Sequence, residues 1–291
     1  MVQAPLNMTV EEFRRMSDLI RERTGIHLPE TKLTLLSNRL RRRLRVLELS
    51  TYQDYYDLLL DSKRCEEELP HFLSAVTTNE TYFFRNEKLW EFMRQKWIPE
   101  IVKIKAANRT LRVWSAASSS GEEAYTTAIC LREHLPEFSK WKVMVIGTDI
   151  SQKVLDKARG GEFNDYAVSK VEPAILKRWF DQKDAVFHLK PEIRQIVQFK
   201  FHNLRDRFQN AGFDLIFLRN VLMYFDLEMK QVVLRNVQDA LSPGGHLIVG
   251  DVDPIRHTKE LMSVVTLESC GPNLYRKSEK HSAVAATAGR S

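Results

Sequence analysis

The chain has 291 residues, of which 43% are apolar and 28% charged, a composition ordinary for soluble proteins in a chain long enough for two domains. No apolar run approaches the roughly 20 residues of a membrane span, and residues 1–10 lack a signal-peptide pattern, so we expect a cytoplasmic protein without membrane insertion. The net charge of +6 suggests an acidic partner but does not distinguish nucleic acid, membrane and protein.

Residues 8–75 show apolar residues at helical spacing, without the alternation typical of strands. These positions are Phe13, Met16 and Ile20 in a first segment, Leu33, Leu36, Leu40 and Leu44 in a second, and Tyr55, Leu58 and Leu59 in a third. Breaks fall at 24–30, with Gly25 and Pro29, and at 48–54, where Ser50 or Thr51 can cap a helix. The pattern predicts a small all-helical domain.

The second of these helices, predicted to run from about Lys32 to Leu47, is basic and contains no acidic residue. Its arginines are Arg39, Arg41, Arg42, Arg43 and Arg45. If the leucines face neighbouring helices, the arginines face outward. That face is either simply solvated or a binding surface for an acidic partner.

The segment TTNETYFFRNE, residues 77–87, places Asn79, Thr81 and Arg85 among three aromatic rings. On these residues alone, TTNET can be a helix cap and turn, for which Ser, Thr and Asn are common.

From about residue 110, short apolar runs alternate with amphipathic helices, which predicts a doubly wound, mostly parallel sheet. The predicted strands and helices are a strand at 110–117, a helix at 121–135, a strand at 141–150, a helix at 151–159 opened by Ser151, strands in IVQFKFHNL, FDLIFLRN and GHLIVGD, and a helix at 227–241 ended by SPGG. The segments LMSVVTLE and GPNLYRK suggest a closing antiparallel hairpin.

Polar side chains gather where these strands end, which is where open α/β sheets bind ligands. SAASSSGEEAY follows the first strand with small residues, and Asp149 ends the second, where an acid can bind a ribose diol. Asp149 could instead cap the helix that begins near Ser151. Asn203, Arg219 and Asn220 end the next two strands.

The ligand predicted by these residues is nucleotide-like. Neither a GxGxxG nor a GxxxxGK[ST] loop is present, which argues against dinucleotide enzymes and P-loop kinases. S-adenosylmethionine has an adenosine but no phosphate, so its site needs a ribose acid and small residues without an anion cradle. The 3 cysteines form no CxxC pair and the 8 histidines show no ligand spacing, so neither a disulfide nor a metal site is expected.

Five segments resemble the chemotaxis receptor glutamate O-methyltransferases, the CheR-type enzymes, over about Glu11 to Lys277. They are, in chain order, TTNETYFFRNE, VWSAASSSGEEAYTTAI, GTDIS, NL and FDLIFLRNVLMYFD, after a basic helical domain. The resemblance implies a Rossmann-like methyltransferase domain at 96–278 with a small β-subdomain at about 166–202. It also implies a linker at 76–95 that folds over the cofactor.

The resemblance further assigns roles to individual residues. It implies that the cofactor contacts Asn79, Thr81, Arg85, Glu122, Asp149, Asn203, Leu204, Leu218, Arg219 and Asn220. Tyr82, Phe83 and Phe84 would anchor the linker while its polar groups face the ligand. The implied partner is an acidic chemoreceptor helical bundle that docks on the five arginines of the basic helix, with the enzyme as a monomer and no nucleic acid or metal.

Glutamate chemistry fits this set of residues. With an ordinary pKa of about 4.3, the acceptor is already ionised at neutral pH and needs no general base. We expect Arg85 and Tyr224 to hold its two oxygens, because a guanidinium fork and a phenol suit a carboxylate.

Two alternatives stay open. One is a small-molecule or nucleic-acid methyltransferase, although the (N/D)PP(Y/F) motif of many amino-methylating enzymes is absent. The other is a non-catalytic module that senses a nucleotide. In the family that the chain resembles, members that grip a receptor's C-terminal pentapeptide tend to have a longer, glycine-containing loop where this chain has the short turn DQKDA, so the resemblance favours binding without that tether. The small, polar residues 279–291 predict a disordered tail.

Overall fold

The structure is a computed structural model of the chain and describes residues 7–209, 211–252, 255 and 258–278. The tail predicted at 279–291 lies outside the described residues. Helices make up the first part of the chain, and a sheet with helices on both faces makes up the rest. Within the described residues, no helix is long and apolar enough to cross a membrane.

The amino-terminal part contains four helices. They are α1 (Val10–Thr24), α2 (Leu33–Val46), α3 (Tyr52–Leu60) and α4 (Arg64–Val76). Gly25 ends α1 in the left-handed conformation with φ 77°, and Thr51 caps α3 through the backbone N–H of Asp54, so both predicted breaks are confirmed. The sequence did not single out α4.

The arginines of α2 do not share one outward face, which corrects the sequence prediction. Arg43 forms a two-pronged ion pair with Glu68 of α4 at 2.8 and 2.6 Å, and the side chain of Glu68 is only 5% exposed. Arg39 donates to the carbonyl of Val76 and to Thr78 Oγ1. Arg41 is half-buried, so only Arg42 and Arg45 of the five are exposed. Removing one partner of a buried pair such as Arg43–Glu68 typically costs 3–5 kcal/mol, so this arginine has a structural role.

The second half of the linker expected at 76–95 is helical, and this helix continues toward the sheet. It runs as α5 (Glu87–Phe92), a π-helical turn (Met93–Trp97) and α6 (Ile98–Ile104). Trp90 and Trp97 are both 1% exposed and pack it against the sheet domain.

The main sheet has seven strands in the order β6–β2–β1–β7–β8–β10–β9. The first five pair in parallel, while β10 and β9 close the sheet as the predicted antiparallel hairpin. The strands are β1 (Thr110–Ala116), β2 (Lys142–Asp149), β6 (Val197–Phe201), β7 (Phe213–Leu218), β8 (Leu241–Val249), β9 (Glu268–Gly271) and β10 (Leu274–Arg276). The predicted α/β class and strand alternation are therefore confirmed.

Three helices between the strands have nearly the predicted bounds, namely α7 (Glu122–His134), α8 (Gln152–Gly160) and α12 (Leu227–Ala240). The short α13 (Lys259–Met262) was not predicted, because its last residues were assigned to the closing hairpin. SPGG belongs to β8 instead of ending a helix, and the pairing of β8 with β7 jumps there, from Phe213↔Leu241 to Leu215↔His246. Gly244, with φ 76°, allows this bulge.

The segment of the chain between β2 and β6 forms a second, three-stranded antiparallel sheet, with the strand order β3–β5–β4. Its strands are β3 (Glu162–Phe163), β4 (Phe180–Lys183) and β5 (Val186–Leu189), with short helices α9 (Asp165–Val168), α10 (Pro173–Trp179) and α11 (Pro191–Arg194) beside them. The bounds of 166–202 expected for the β-subdomain need correction, because its sheet begins at 162 and residues 197–201 pair with β2 in the main sheet. The turn between β4 and β5 is only Asp184 and Ala185, as short as expected.

The helical domain shares its core with one face of the sheet. Phe13, Leu40 and Tyr55 belong to the same buried cluster as Trp114 and Ile216. A second cluster covers the opposite face with α5, α6, α7 and the β-subdomain. The backbone also joins the two parts, through the bridge Ile26↔Phe225 and the hydrogen bond from His27 N to Tyr224 O at 2.8 Å. The four helices are therefore held over the carboxyl ends of the strands.

Candidate functional site

A cavity of about 560 Å³ lies at the carboxyl ends of the parallel strands, between the sheet, the linker and the helical domain. Nine of the residues predicted from the sequence to contact the cofactor or the acceptor line it. They are Asn79, Thr81, Arg85, Asp149, Asn203, Leu204, Arg219, Asn220 and Tyr224. Side chains that are up to 145 positions apart in the chain thus meet at one site.

The floor of the cavity is the small-residue loop between β1 and α7. Ala117, Ser119 and Gly121 have φ values of 61°, 50° and 94°, so the backbone turns tightly into the helix. A Cβ at Gly121 would lie 2.7 Å from the ring of Phe199 and 2.9 Å from Cβ of Ala158, so only glycine fits there. The turn exposes backbone to the cavity, as the small residues of the sequence suggested.

Asp149 ends β2 and is 7% exposed. Its Oδ2 accepts the N–H of Ser119 at 3.0 Å and its Oδ1 accepts the N–H of Ser151 at 2.9 Å. Burial raises the pKa of Asp149, while these N–H groups oppose the rise. Both interpretations of this residue describe part of its geometry, since the carboxylate supports the start of α8 and also lines the cavity. The Ser151 hydroxyl makes no capping bond.

The structure does not bring Glu122 to the cavity; its neighbour Glu123 lines it instead. Glu123 Oε2 pairs with Arg219 Nη1 at 2.8 Å, and its Oε1 accepts from Ser115 Oγ at 2.8 Å. Glu122 points away, is 4% exposed and accepts the hydroxyl of Ser120. The pair Gly-Glu-Glu gives no sign of which carboxylate faces the ligand, because successive helical residues are rotated by about 100°.

Leu218 is also absent from the cavity wall, since its side chain is fully buried at the end of β7. The two residues that follow it, Arg219 and Asn220, line the cavity instead. Asn220 has a φ of 57°, a left-handed turn that Asn tolerates and that carries the chain away from the strand.

Two lining residues went unnoticed in the sequence. Ser118 Oγ and His202 Nε2 are buried polar atoms without a hydrogen-bond partner among the described residues. Burial lowers the pKa of His202, whose ring packs edge-on against Trp114 and Phe208. Buried polar atoms are nearly always satisfied, so both are donors or acceptors available to a ligand. The position of His202 directly before Asn203, at a strand end, was a usable signal.

The linker forms the lid of the cavity, and Phe83 is its anchor. This ring is fully buried and packs edge-on against Phe163 and Phe180 of the β-subdomain at 4.7 and 5.1 Å. Tyr82 packs edge-on against Tyr166 at 6.0 Å and also lines the cavity, with the guanidinium of Arg85 5.7 Å from its ring centre. Phe84 contacts Trp90, so each of the three rings has an aromatic contact outside the segment, as expected.

The helical domain holds two further parts of the wall. Arg39, expected at the docking surface, lines the cavity and ties α2 to the linker through Thr78. Burial lowers the pKa of this arginine, while nearby Tyr224 opposes the shift. The turn that carries Tyr224 is fixed by the ion pair between Arg21 of α1 and Asp226 at 2.6 Å.

These residues fit S-adenosylmethionine. The Asp149 carboxylate can accept from a ribose diol, Glu123 offers a carboxylate to a cationic amine, and Ser118 and His202 supply unused polar atoms in the cavity wall. Among the described residues, no group of three or more His, Cys, Asp or Glu side chains could hold a metal ion.

Comparison with known proteins agrees with this geometry. Residues 79–270 match the family model "CheR methyltransferase, SAM binding domain", and residues 11–77 match "CheR methyltransferase, all-alpha domain". Chemotaxis protein methyltransferase of Borreliella burgdorferi is 31% identical over 94% of this chain and 96% of its own length. Chemotaxis protein methyltransferase 1 of Pseudomonas aeruginosa is 31% identical over 90% and 96%, and the Salmonella typhimurium protein is 34% identical over 84% of each chain.

The fold and the cavity therefore define an S-adenosylmethionine-dependent methyltransferase. Within that class, the chain belongs to the CheR methyltransferase family.

The role of Asp149 can be tested through cofactor affinity. Asp149→Asn keeps the shape but removes the charge, so we expect S-adenosylhomocysteine to bind about 10- to 100-fold more weakly, the loss typical of hydrogen bonds to a charged group. Calorimetric titration measures this, with Asp184→Asn in the distant β4–β5 turn as the matched control. Equal affinity in the two variants would contradict the assignment.

Glu122 predicts a dependence of stability on pH. Burial raises the pKa of Glu122 from 4.5 to about 7. A carboxyl whose pKa is higher in the folded chain stabilises the fold most below its ordinary pKa, and that contribution is lost as the pH rises to about 7. Glu122→Gln, which stays neutral, should lose less stability than the native protein between pH 5 and pH 8 in urea denaturation. Exposed Glu192→Gln should behave like the native protein, and the same behaviour in Glu122→Gln would refute the prediction.

Proposed function

We propose that this chain transfers the methyl group of S-adenosylmethionine to glutamate side chains of chemoreceptor cytoplasmic helices, giving methyl esters. The observation that carries the proposal is the placement of Arg85 and Tyr224 in the wall of one cofactor-sized cavity that also contains Asp149. Membership of the CheR methyltransferase family and relatives named chemotaxis protein methyltransferases support it.

The proposed chemistry asks the protein for alignment and removal of water. When bound, the cofactor supplies the electrophilic methyl group and a neutral leaving group. An ionised glutamate attacks without a base, so the contribution of the chain is to hold the carboxylate in line and to exclude solvent.

Arg85 and Tyr224 are the proposed contacts to that carboxylate. Within the described residues, the Arg85 side chain donates one hydrogen bond, to the carbonyl of Glu80 at 3.0 Å. Further N–H groups therefore remain for a ligand. Tyr224 approaches from the helical-domain side, where its backbone is pinned to His27. Contacts from two sides orient a carboxylate without neutralising it strongly, which preserves its nucleophilicity.

Docking of an acidic receptor bundle on α2 is proposed through Arg42 and Arg45, which are exposed, and not through Arg39 or Arg43, which are engaged within the fold. The short β4–β5 turn remains in favour of binding without a pentapeptide tether.

The test of function uses the native protein, S-adenosylmethionine carrying a tritiated methyl group, and cytoplasmic fragments of chemoreceptors from the organism that carries the gene. We expect the tritium label in the fragment. Mild base should release it as methanol, because base hydrolyses methyl esters and leaves N-methyl groups intact. Cofactor binding without transfer to any fragment would overturn the proposal and favour the nucleotide-sensing module.

Arg85 and Tyr224 should affect transfer more than cofactor binding. We expect Arg85→Ala to lower kcat by about 100-fold and Tyr224→Phe by about 10-fold, the range of a lost charged and a lost neutral positioning hydrogen bond. Rates at saturating cofactor and receptor measure this, with Arg235→Ala and Tyr56→Phe as controls away from the cavity. Unchanged kcat with weakened cofactor binding alone would count against these roles.

Docking through Arg42 and Arg45 predicts a salt effect on KM. Replacing both by Glu should raise KM for the receptor fragment about 10-fold at low ionic strength, and added salt should narrow the difference, because exposed charges are screened. The exposed Arg235→Glu is the control. If KM of the native protein does not change with ionic strength, this docking surface is wrong.

A further inference from the structure

Two large apolar side chains are exposed beside the cavity, and they come from different parts of the chain. Leu35 of α2 is 40% exposed and Met223, in the turn after β7, is 54% exposed. Both also line the cavity. Apolar side chains that are exposed and contiguous with a binding site commonly mark contact with a partner.

The face of α2 that begins at Leu35 is otherwise polar and basic. Asn38, Arg42 and Arg45 are exposed and follow Leu35 at helical spacing, so they lie on the same side of the helix. Arg42 is two turns from Leu35, roughly 10 Å along the axis. Lys32, one turn before Leu35, and Arg39, one turn after it, also line the cavity, so Leu35 is an apolar position among basic residues.

We propose that Leu35 and Met223 form an apolar seat that selects the acceptor helix by the residue one turn away from the methylated glutamate. This inference rests on the proposed function and names a specificity determinant of the same site. The occupant it commits to is an amphipathic acidic helix, because only that chemistry matches an apolar seat continuous with both a carboxylate-binding cavity and the basic residues Arg42 and Arg45.

The selectivity follows from the difference in free energy between burying an apolar residue and burying a charged residue against Leu35 and Met223. An apolar residue of the acceptor helix gains contact with Leu35 and Met223, whereas a charged residue packed against these two side chains loses water and gains no ion pair with either of them. Residues at i and i+3 or i+4 share one face of a helix, so a glutamate in the cavity places its neighbour one turn away against the rim. The seat also excludes water from the carboxylate as it enters.

The experiment combines enzyme and substrate variants. The enzymes are the native protein, Leu35→Lys, Met223→Lys and the control Leu60→Lys, whose leucine is 54% exposed on α3 and does not line the cavity. The substrates are a receptor fragment that the native enzyme methylates and the same fragment with Asp in place of the apolar residue one turn from the methylated glutamate. Titration with S-adenosylhomocysteine checks that each variant keeps the cofactor site.

We expect kcat/KM on the natural fragment to fall at least about 10-fold for Leu35→Lys and Met223→Lys, mainly through KM, and to stay within two-fold for Leu60→Lys. The native enzyme should show a similar loss of kcat/KM on the Asp fragment. One of the two cavity-rim lysine variants should recover kcat/KM on that fragment, since an ion pair between its lysine and the aspartate then replaces the apolar contact. Retention of kcat/KM by both rim variants, with cofactor binding intact, overturns the inference and leaves the proposed function standing. Absence of base-labile label with the native enzyme removes the proposed function, and this inference with it.

Discussion

The buried ion pair between Arg219 and Glu123 connects the strand ends, the start of α7 and the lid of the cavity. Arg219 follows β7, Glu123 begins α7, and their side chains are only 5% and 15% exposed. Arg219 also donates to the carbonyl of Arg85 in the linker at 3.2 Å, while Glu123 accepts from Ser115 on β1. Because either charge alone would be buried without a partner, the pair requires the strand ends, the helix and the lid to be in place together. The position of the Arg85 backbone, and with it the proposed contact to the acceptor, depends on this pair.

The helical domain forms part of the site itself. Its leucines share a core with the sheet, its first loop pairs with the segment around Phe225, and Arg39 clamps the linker. The result is that one helix, α2, contributes a structural ion pair, a wall of the cavity and an exposed face. A substrate that contacts the exposed face of α2 is thereby brought next to Tyr224 and Arg85. This arrangement accounts for a two-domain protein in which the catalytic cavity lies at the domain junction.

Sequence patterns were most successful where they depend on backbone geometry. Periodicity and capping determine the alternation of strands and helices, the breaks at Gly25 and Thr51, and the polar residues at strand ends. The sequence alone was therefore enough to predict these features. The pattern was less informative where one residue has two plausible environments. Glu122 and Glu123 are the same residue type at adjacent positions, so the sequence does not distinguish them. The strand at 197–201 could belong to either sheet, and only its pairing with β2 assigns it to the main sheet. Arg43 looked like its neighbours because Glu68, its partner, lies 25 positions away.

The sequence by itself determined the class of fold, the helical domain before it, the edge of the sheet where the cavity lies and nine of the residues that line this cavity. These properties are local, or follow from the rule that parallel strands end at one edge. Tertiary structure alone decided which carboxylate faces the cavity, which arginines are exposed, and that Ser118 and the pair Leu35 and Met223 belong to the site. The physical reason is that burial and pairing depend on which elements meet, and a helix with neighbours on two sides can use its charged residues inward as well as outward.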